Sequence, residues 1–292
     1  MKNSKKMSWL ILVLGILAGC NKEPYMPKNP PTYIGHSAAT HGSNNDKQPV
    51  LSALKVMTYN IHAGEPTYNE DTTDLGVMVK AIRQGDPDIL FLQEVDKGTN
   101  RNGFLGDQAA ILGDSLKMNY FFFSARQYLR GLYGVAILSK YPLKEIRKYD
   151  LTKESDATEQ RVMGTAVIDL PGVDSVLAAV THLQHNSATN RVQQVKDIVN
   201  ILGNKAERTI IGGDFNEFET TTDFFSVFDG LFTRTCKGGN CPGTFTARNP
   251  VSVIDYLAYK PAAAFSVNYH RTIDAQNASD HLPVVAELKI NR

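Results

Sequence analysis

The 292-residue sequence predicts an α/β protein in which two mixed β-sheets pack face to face with helices outside. Strand-like and helix-like segments alternate along the chain, as is typical of α/β proteins. The strand-like segments number about ten or more and the helical ones only about three or four. Helices in that number are too few to cover both faces of one large parallel sheet. Two packed sheets therefore account better for the pattern.

The first half of the predicted domain alternates strands and helices. A β-rich run at 54–61 is followed by helical spacing at 71–84. The segment ILFLQEV is a nearly continuous apolar run, which is typical of a strand buried on both faces. A second predicted helix, at about 107–117, precedes the strand YFFFSA.

The second half is richer in strands. YGVAILSKYP, VMGTAVIDL and SVLAAVTHL follow one another closely, and a long amphipathic helix is predicted at 188–203. TIIGGDF, VIDYLAYK, AFSVNYHRT and LPVVAELKI complete the predicted strands.

Residues 1–19 have the composition of a secretory signal peptide, because three lysines precede a short apolar run. The ending Leu17-Ala18-Gly19-Cys20 resembles the lipobox of bacterial lipoproteins. That resemblance implies that Cys20 is lipidated and becomes the first mature residue. A plain signal peptide and an uncleaved anchor are the alternatives. The expected location is the bacterial cell envelope, with the lipid in a membrane and the domain on its periplasmic or cell-surface face.

Residues 20–50 are rich in Pro, Asn, Ser and Gly and predict a flexible tether with a reach of roughly 30 Å. Residues 51–292 remain for one large domain, expected to be a monomer. The chain has 31 basic and 30 acidic residues, and the signal peptide removes three lysines, so the mature charge is near −2. Proteins that bind nucleic acid by bulk charge are usually strongly basic, so this charge does not support that class.

Two cysteines remain beyond Cys20, at Cys236 and Cys241. A disulfide is the preferred interpretation for an exported protein, and two free thiols are the alternative. A metal site would need further Cys or His ligands nearby, and the sequence has none there.

Polar residues end three of the apolar strands, at Asn60, Glu94 and Asp214, and the pair Asp280-His281 comes directly before the last one. Open α/β sheets bind ligands at strand ends, and carboxylates without cysteine suit a hard cation such as Mg²⁺ and hydrolysis at phosphorus. Singly, these residues also have simpler interpretations: Asn60 as a turn residue and Glu94 as half of an ion pair.

Asp255 lies inside the apolar strand VIDYLAY, where a lone charge is costly. A histidine partner would explain its position. In GGDFN, Asp214 and Asn216 are two residues apart and so share a face of extended backbone. A Gly-Asp turn with Asn as a cap is the alternative for that segment.

Eight motifs in order resemble the endonuclease/exonuclease/phosphatase superfamily and are similar to deoxyribonuclease I: TYNIHAG, PDILFLQEVD, YGVAILSKYP, QRVMGTAV, THLQH, GGDFN, VIDYLAY and SDHLPV. They span about 54–288. The resemblance implies that 51–292 is a catalytic domain with a four-layer α/β sandwich, its two mixed sheets mainly antiparallel. It also implies a metal-dependent phosphoric ester hydrolase.

The resemblance implies a metal site of Glu94, Asn60 and Asp280 for Mg²⁺, with Mn²⁺ or Ca²⁺ as alternatives. Asp255 would hold His281 for proton transfer.

The catalytic set implied by the resemblance extends to three further residues. Asp214 would orient the attacking water, Asn216 would hold a phosphate oxygen, and His182 would stabilise the transition state or protonate the leaving group. Arg161 matches a phosphate contact, although a surface salt bridge would explain it as well. Tyr133 matches a motif position and could simply pack.

The sequence differs from two well-known branches. Apurinic-site endonucleases have Asp where this chain has His62. Inositol-polyphosphate phosphatases have Trp before their Gly-Asp-x-Asn segment, where this chain has Ile211-Gly212-Gly213. The expected function is an exported, membrane-tethered Mg²⁺-dependent phosphodiesterase acting on a small or lipid-derived phosphoester. An extracytoplasmic nuclease that cleaves DNA or RNA is the alternative. A catalytically inactive surface binding protein is the hypothesis from another class.

Overall fold

The computed structural model describes residues 31–35, 41–42 and 46–292. The predicted signal peptide, 1–19, and Cys20 lie outside the described residues. In the part of the chain that is described, no helix is both long and apolar enough to cross a membrane.

The described residues form thirteen strands, four α-helices and two short 3₁₀ helices. The strands are β1 (Thr32–Gly35), β2 (Ala53–Asn60), β3 (Ile89–Lys97), β4 (Asn119–Tyr128), β5 (Gly131–Ser139), β6 (Leu143–Asp150), β7 (Val162–Leu170), β8 (Asp174–His182), β9 (Thr209–Asp214), β10 (Thr233–Arg234), β11 (Asp255–Lys260), β12 (Phe265–Thr272) and β13 (Val284–Ile290). The helices are α1 (Leu75–Gly85), α2 (Gln108–Leu116), α3 (Ala188–Gly203) and α4 (Thr222–Phe228), and the 3₁₀ helices are His62–Gly64 and Ala262–Ala264.

The strands form two sheets, which confirms the predicted architecture. One sheet has the order β1-β6-β7-β8-β9-β11-β10 and the other β12-β13-β2-β3-β5-β4. Neighbouring strands are antiparallel except β2–β3 and β8–β9. Each parallel pair needs a crossover connection, which α1 and α3 provide.

Alternation of side chains along each strand builds four layers. In β2, Leu54 and Val56 face the other sheet, whereas Met57 and Tyr59 pack against the layer of α1 and α2. A third apolar cluster packs α3 and α4 against the outer face of the seven-stranded sheet. The order of layers is therefore helix, sheet, sheet, helix.

The predicted start of the first helix, at residue 71, is wrong by four residues. The helix begins at Leu75 because the Asp74 carboxylate accepts hydrogen bonds from the backbone N–H groups of Gly76 and Val77, at 2.8 and 3.3 Å. The other two predicted helices are confirmed to within one residue at each end.

Three strands and one α-helix were not predicted, namely β1, β6, β10 and α4, nor were the two 3₁₀ helices. The sequence of β6, LKEIRKYD, lacks the alternation of a strand, because a bulge between Lys144 and Arg147 spaces its buried residues three apart, at Leu143, Ile146 and Tyr149. The strand β1 lies within the segment predicted as a tether, and it pairs antiparallel with β6. An exposed sheet edge can recruit such a short segment through backbone hydrogen bonds alone.

Candidate active site

The ends of the two parallel strand pairs meet at one place in the domain. Asn60 ends β2, and His182 and Asp214 end β8 and β9. The Asn60 amide Nδ2 donates to Asp214 Oδ2 at 3.0 Å and so joins the two sheets. Most of the polar residues singled out in the sequence lie at this meeting point.

Glu94 reaches this point through a β-bulge. The register between β3 and β5 shifts between Leu92 and Val95, and Glu94 has φ of +55°. Asn60 Nδ2 also donates to Glu94 Oε1 at 3.1 Å, and its Oδ1 accepts from the backbone N–H of His62 at 3.0 Å. The Asn60 amide therefore bridges two carboxylates with its nitrogen.

Asp255 and His281 form a buried pair. His281 Nδ1 lies 2.8 Å from Asp255 Oδ2, and the two residues are 5% and 2% exposed. His281 Nε2 lies 3.7 Å from Asp214 Oδ2, and the ring of Phe245 packs 4.8 Å from the imidazole. Burial opposes charge on the imidazole, but the Asp255 and Asp214 carboxylates outweigh burial and raise the pKa of His281 to about 10.

This pair makes stability depend on pH. Because the pKa of His281 rises on folding, the pair contributes fully below the usual value of 6.5, and the contribution is lost as the pH rises through about 10. We expect the free energy of unfolding of the wild type, relative to Asp255→Asn, to fall by at least about 1 kcal/mol between about pH 6 and about pH 9. Urea unfolding in EDTA measures the difference. A difference that is constant across this range would contradict the assigned ion pair.

His182 and Asn216 form the opposite side of the reaction centre. Asn216 has φ of +50°, and its backbone N–H donates to Asp214 Oδ1 at 2.8 Å. Its Nδ2 lies 3.0 Å from His182 Nε2. Burial, together with the positive charge of Arg161, holds the pKa of His182 well below its usual range. His182 is therefore neutral near pH 7, whereas His281 is charged.

Asp214 lies between the two histidines. Its Oδ2 is 3.5 Å from His182 Nε2 and 3.7 Å from His281 Nε2. Burial and the neighbouring Asp255 carboxylate raise the pKa of Asp214 to about 7. An Asp with such a pKa can exchange a proton near neutral pH.

Asp280 and Glu94 line the same cavity of about 370 Å³. Asp280 Oδ1 lies 3.3 Å from Ser279 Oγ. These oxygen donors, without thiols, fit a hard divalent cation. Ligand atoms of Asp214, Asp255 and His281 also lie within 4.8 Å of one another. Two atoms of that group, Asp255 Oδ2 and His281 Nδ1, already bond to each other, while Glu94 and Asp280 supply further carboxylates that line the cavity.

Arg161 is 3% exposed, so it is not a surface residue. Its guanidinium Nη2 lies 3.1 Å from Glu159 Oε2, and its Nε donates to Gln184 Oε1 at 3.3 Å. Both Arg161 and Tyr133 line the cavity. Burial, with the Glu94 charge, raises the pKa of Tyr133 well above its usual value.

The structure joins Cys236 and Cys241 in a disulfide. The bridged loop leads to Thr244, whose Oγ1 accepts hydrogen bonds from the backbone N–H groups of Ile254 and Asp255, at 3.2 and 3.3 Å. The segment that follows the disulfide loop therefore contacts the start of the strand that carries the Asp255 carboxylate.

Several residues around the centre were not singled out from the sequence. They line the cavity beside the predicted set: Arg101, Arg126, Tyr128, Glu159, His185, Phe245 and Ile254. Ser279 was also missed; its Oγ donates to the Asn60 carbonyl at 2.8 Å and accepts from the His281 N–H at 3.2 Å. The predicted strand YFFFSA stops at Ala125, directly before Arg126, and the β-bulge between Ser124 and Arg126 breaks the alternation that would have extended it.

Known proteins share this sequence pattern and fold. The chain is 25% identical over 251 residues to the uncharacterized protein YbhP of Escherichia coli K12, covering 82% of this chain and 97% of that protein. An endonuclease/exonuclease/phosphatase from Beutenbergia cavernae has a TM-score of 0.71 at 22% identity, covering 82% of this chain and 72% of its own. The mannosyl-6-phosphatase Bt3783 of Bacteroides thetaiotaomicron has a TM-score of 0.61 at 20% identity, covering 80% of this chain and 99% of its own.

A family model matches most of the chain and includes the polar cluster described above. The match runs over residues 57–281, from the strand that ends in Asn60 to His281 itself. This chain belongs to the endonuclease/exonuclease/phosphatase family.

Proposed function

We propose that this protein is an exported, membrane-tethered, Mg²⁺-dependent phosphodiesterase that hydrolyses a small or lipid-derived phosphoester by in-line attack of water. Members of its family are hydrolases that act on phosphoesters. The observation that carries the proposal is the convergence, in one cavity, of the Glu94 and Asp280 carboxylates with the Asp255–His281 pair.

The chemistry that a Mg²⁺ bound by Glu94 and Asp280 would supply is stabilisation of negative charge on a phosphoryl oxygen. The side chains of the protein account for the rest. Asp214 orients the attacking water, and His281, held by Asp255, presents Nε2 to that side of the cavity. His182 and Asn216 form the side that faces the leaving group and the phosphate oxygens.

The tether belongs to the proposal as well. Lipidation of Cys20, followed by the short segment up to β1, which pairs with β6, would hold the domain within roughly 20 Å of a membrane surface. A lipid-derived substrate would then be concentrated near the cavity. Export also suits the Cys236–Cys241 disulfide, since such bonds persist in oxidising compartments.

A nuclease is the second candidate, and one observation favours it. Arginine and tyrosine side chains line the cavity beside the reaction centre, and such side chains bind phosphates and stack on bases. The near-neutral charge of the chain favours a small substrate over a long polyanion.

A substrate panel tests the proposal. With Mg²⁺ present, we expect turnover of bis-p-nitrophenyl phosphate and of a small or lipid-derived diester such as sphingomyelin. The panel also includes plasmid DNA, inositol phosphates and mannose 6-phosphate. Turnover of DNA alone would replace the lead function with the nuclease, and turnover of mannose 6-phosphate alone would make the enzyme a monoesterase. Inactivity on every member, with no Mg²⁺ binding by calorimetry, would favour an inactive binding protein.

A further inference from the structure

One side of the cavity is built from arginine, tyrosine and glutamate. We call Arg126, Tyr128, Tyr133, Glu159 and Arg161 the basic wall. The catalytic proposal assigns no step to these five residues. The basic wall lines the same cavity as the reaction centre, so a substrate held there would contact both.

The basic wall carries an excess positive charge. Arg126 Nη2 lies 2.9 Å from Glu159 Oε1, and Arg161 Nη2 lies 3.1 Å from Glu159 Oε2, so two guanidinium groups share one carboxylate. Arg101 also lines the cavity, but other carboxylates balance its charge. Its Nε lies 2.8 Å from Asp96 Oδ2 and 3.8 Å from Glu65 Oε1. The surplus charge therefore lies at Arg126 and Arg161.

Arg126 is held in place while part of its hydrogen-bonding capacity stays free. Its guanidinium carbon lies 4.7 Å from the ring centre of Tyr128 and 5.1 Å from that of Tyr133. Its Nε is buried and has no hydrogen-bond partner within the described ranges. A planar fork that is already oriented loses less conformational entropy when it binds an anion.

Two β-bulges, one in β4 and one in β3, position Arg126 and Glu94. The register between β4 and β5 shifts between Ser124 and Arg126, and that between β3 and β5 shifts between Leu92 and Val95. The β4 bulge lies opposite Tyr133 and Gly134 of β5 and the β3 bulge lies opposite the segment from Gly134 to Ala136, so the two bulges adjoin at Gly134. The cation at Arg126 and the carboxylate at Glu94 are thus positioned on either side of one stretch of strand.

We propose that the basic wall is a subsite for a second anionic group, so that the substrate is a small phosphoester that carries a further phosphate or carboxylate beside the scissile phosphate. This inference rests on the proposed function for the reaction, although binding can be measured without turnover. A cavity of about 370 Å³ accepts a ligand of this size. Arg126 is the residue that binds the second anion.

Calorimetry in EDTA, which prevents turnover, tests the subsite with matched probes. The first pair is thymidine 5′-monophosphate and thymidine 3′,5′-bisphosphate, and the second is phosphate and pyrophosphate. We expect at least one doubly anionic probe to bind about tenfold to a hundredfold more tightly than its partner, from one added charge-assisted contact. Arg126→Met should remove most of this gain, and Arg126→Lys should restore part of it.

Two further variants make the test specific. Arg130→Gln removes an exposed arginine of the same β4–β5 hairpin that does not line the cavity, and it should keep the full gain. Glu159→Gln removes the competing carboxylate and should tighten binding of the doubly anionic probe. An equal affinity within both probe pairs, or a gain that survives in Arg126→Met, would overturn the inference.

Hydrolysis separates failure of the subsite from failure of the proposed function. Thymidine 5′-(p-nitrophenyl phosphate) is compared with the same ester carrying a 3′-phosphate, since both release p-nitrophenolate. We expect a lower KM for the second ester, and in Arg126→Met a larger loss for it than for the first. A binding preference without any hydrolysis would refute the proposed function and leave the subsite standing. Binding of a 20-nucleotide DNA strand far more tightly than either doubly anionic probe would refute the assignment of a small substrate.

Discussion

Replacing His281 by alanine is expected to lower kcat/KM by about 10²–10⁴, on whichever phosphoester the enzyme hydrolyses. The imidazole is held by Asp255 at 2.8 Å and presents Nε2 towards Asp214, so the substitution removes the group that Asp255 positions for proton transfer. Steady-state kinetics with Mg²⁺ measures the loss.

A second histidine provides the control for this variant. His41→Ala changes a histidine whose side-chain contact is with Asp114, outside the cavity, and it should leave turnover unchanged. Circular dichroism should show both variants folded. A folded His281→Ala protein with near-normal turnover would refute the assignment of His281 as the proton-transfer group.

Glu94→Gln is expected to have a comparably large effect through the metal. The change keeps the shape of the side chain and an oxygen that can accept from Asn60, but it removes the negative charge that would hold the cation. We expect Mg²⁺ affinity to fall by more than about 100-fold, with most of the activity lost. Calorimetry with Mg²⁺ gives a measurement independent of turnover.

The matched control is Glu70→Gln, which neutralises an exposed glutamate outside the cavity. Mg²⁺ affinity should be unchanged in this variant. Undiminished Mg²⁺ binding by Glu94→Gln would mean that the cation binds elsewhere, with the cluster of Asp214, Asp255 and His281 as the next site to test.

The sequence predicted most of the strands, but it did not predict the β-bulges within them. The run ILFLQEV indicated a buried strand that ends near Glu94; β3 is that strand, but it continues three residues further, to Lys97. Nothing local to this run indicated that Glu94 would adopt a positive φ at a bulge, because the bulge depends on pairing with β5. The same limit explains why the strand at 120–125 was ended before Arg126.

A polar partner could be predicted from the sequence where a charged residue lies in an apolar strand. Asp255 in an apolar strand required a partner, and His281 lies beside it although 26 positions separate them. The bridging role of the Asn60 amide was not predictable, because it depends on where two sheets bring Glu94 and Asp214. The start of α1 was missed for a local reason, since Asp74 caps it more strongly than the preceding acidic residues.

The hydrogen bond from Asn60 to Asp214 has a consequence for how the enzyme loses activity. It joins the six-stranded sheet to the seven-stranded one, and the proposed metal ligands and general acid–base groups are divided between these two halves. A small separation of the sheets would pull the halves apart while every strand kept its own neighbours. Under mild denaturant, inactivation should therefore precede the loss of secondary structure, which makes turnover a sensitive reporter of sheet-to-sheet docking.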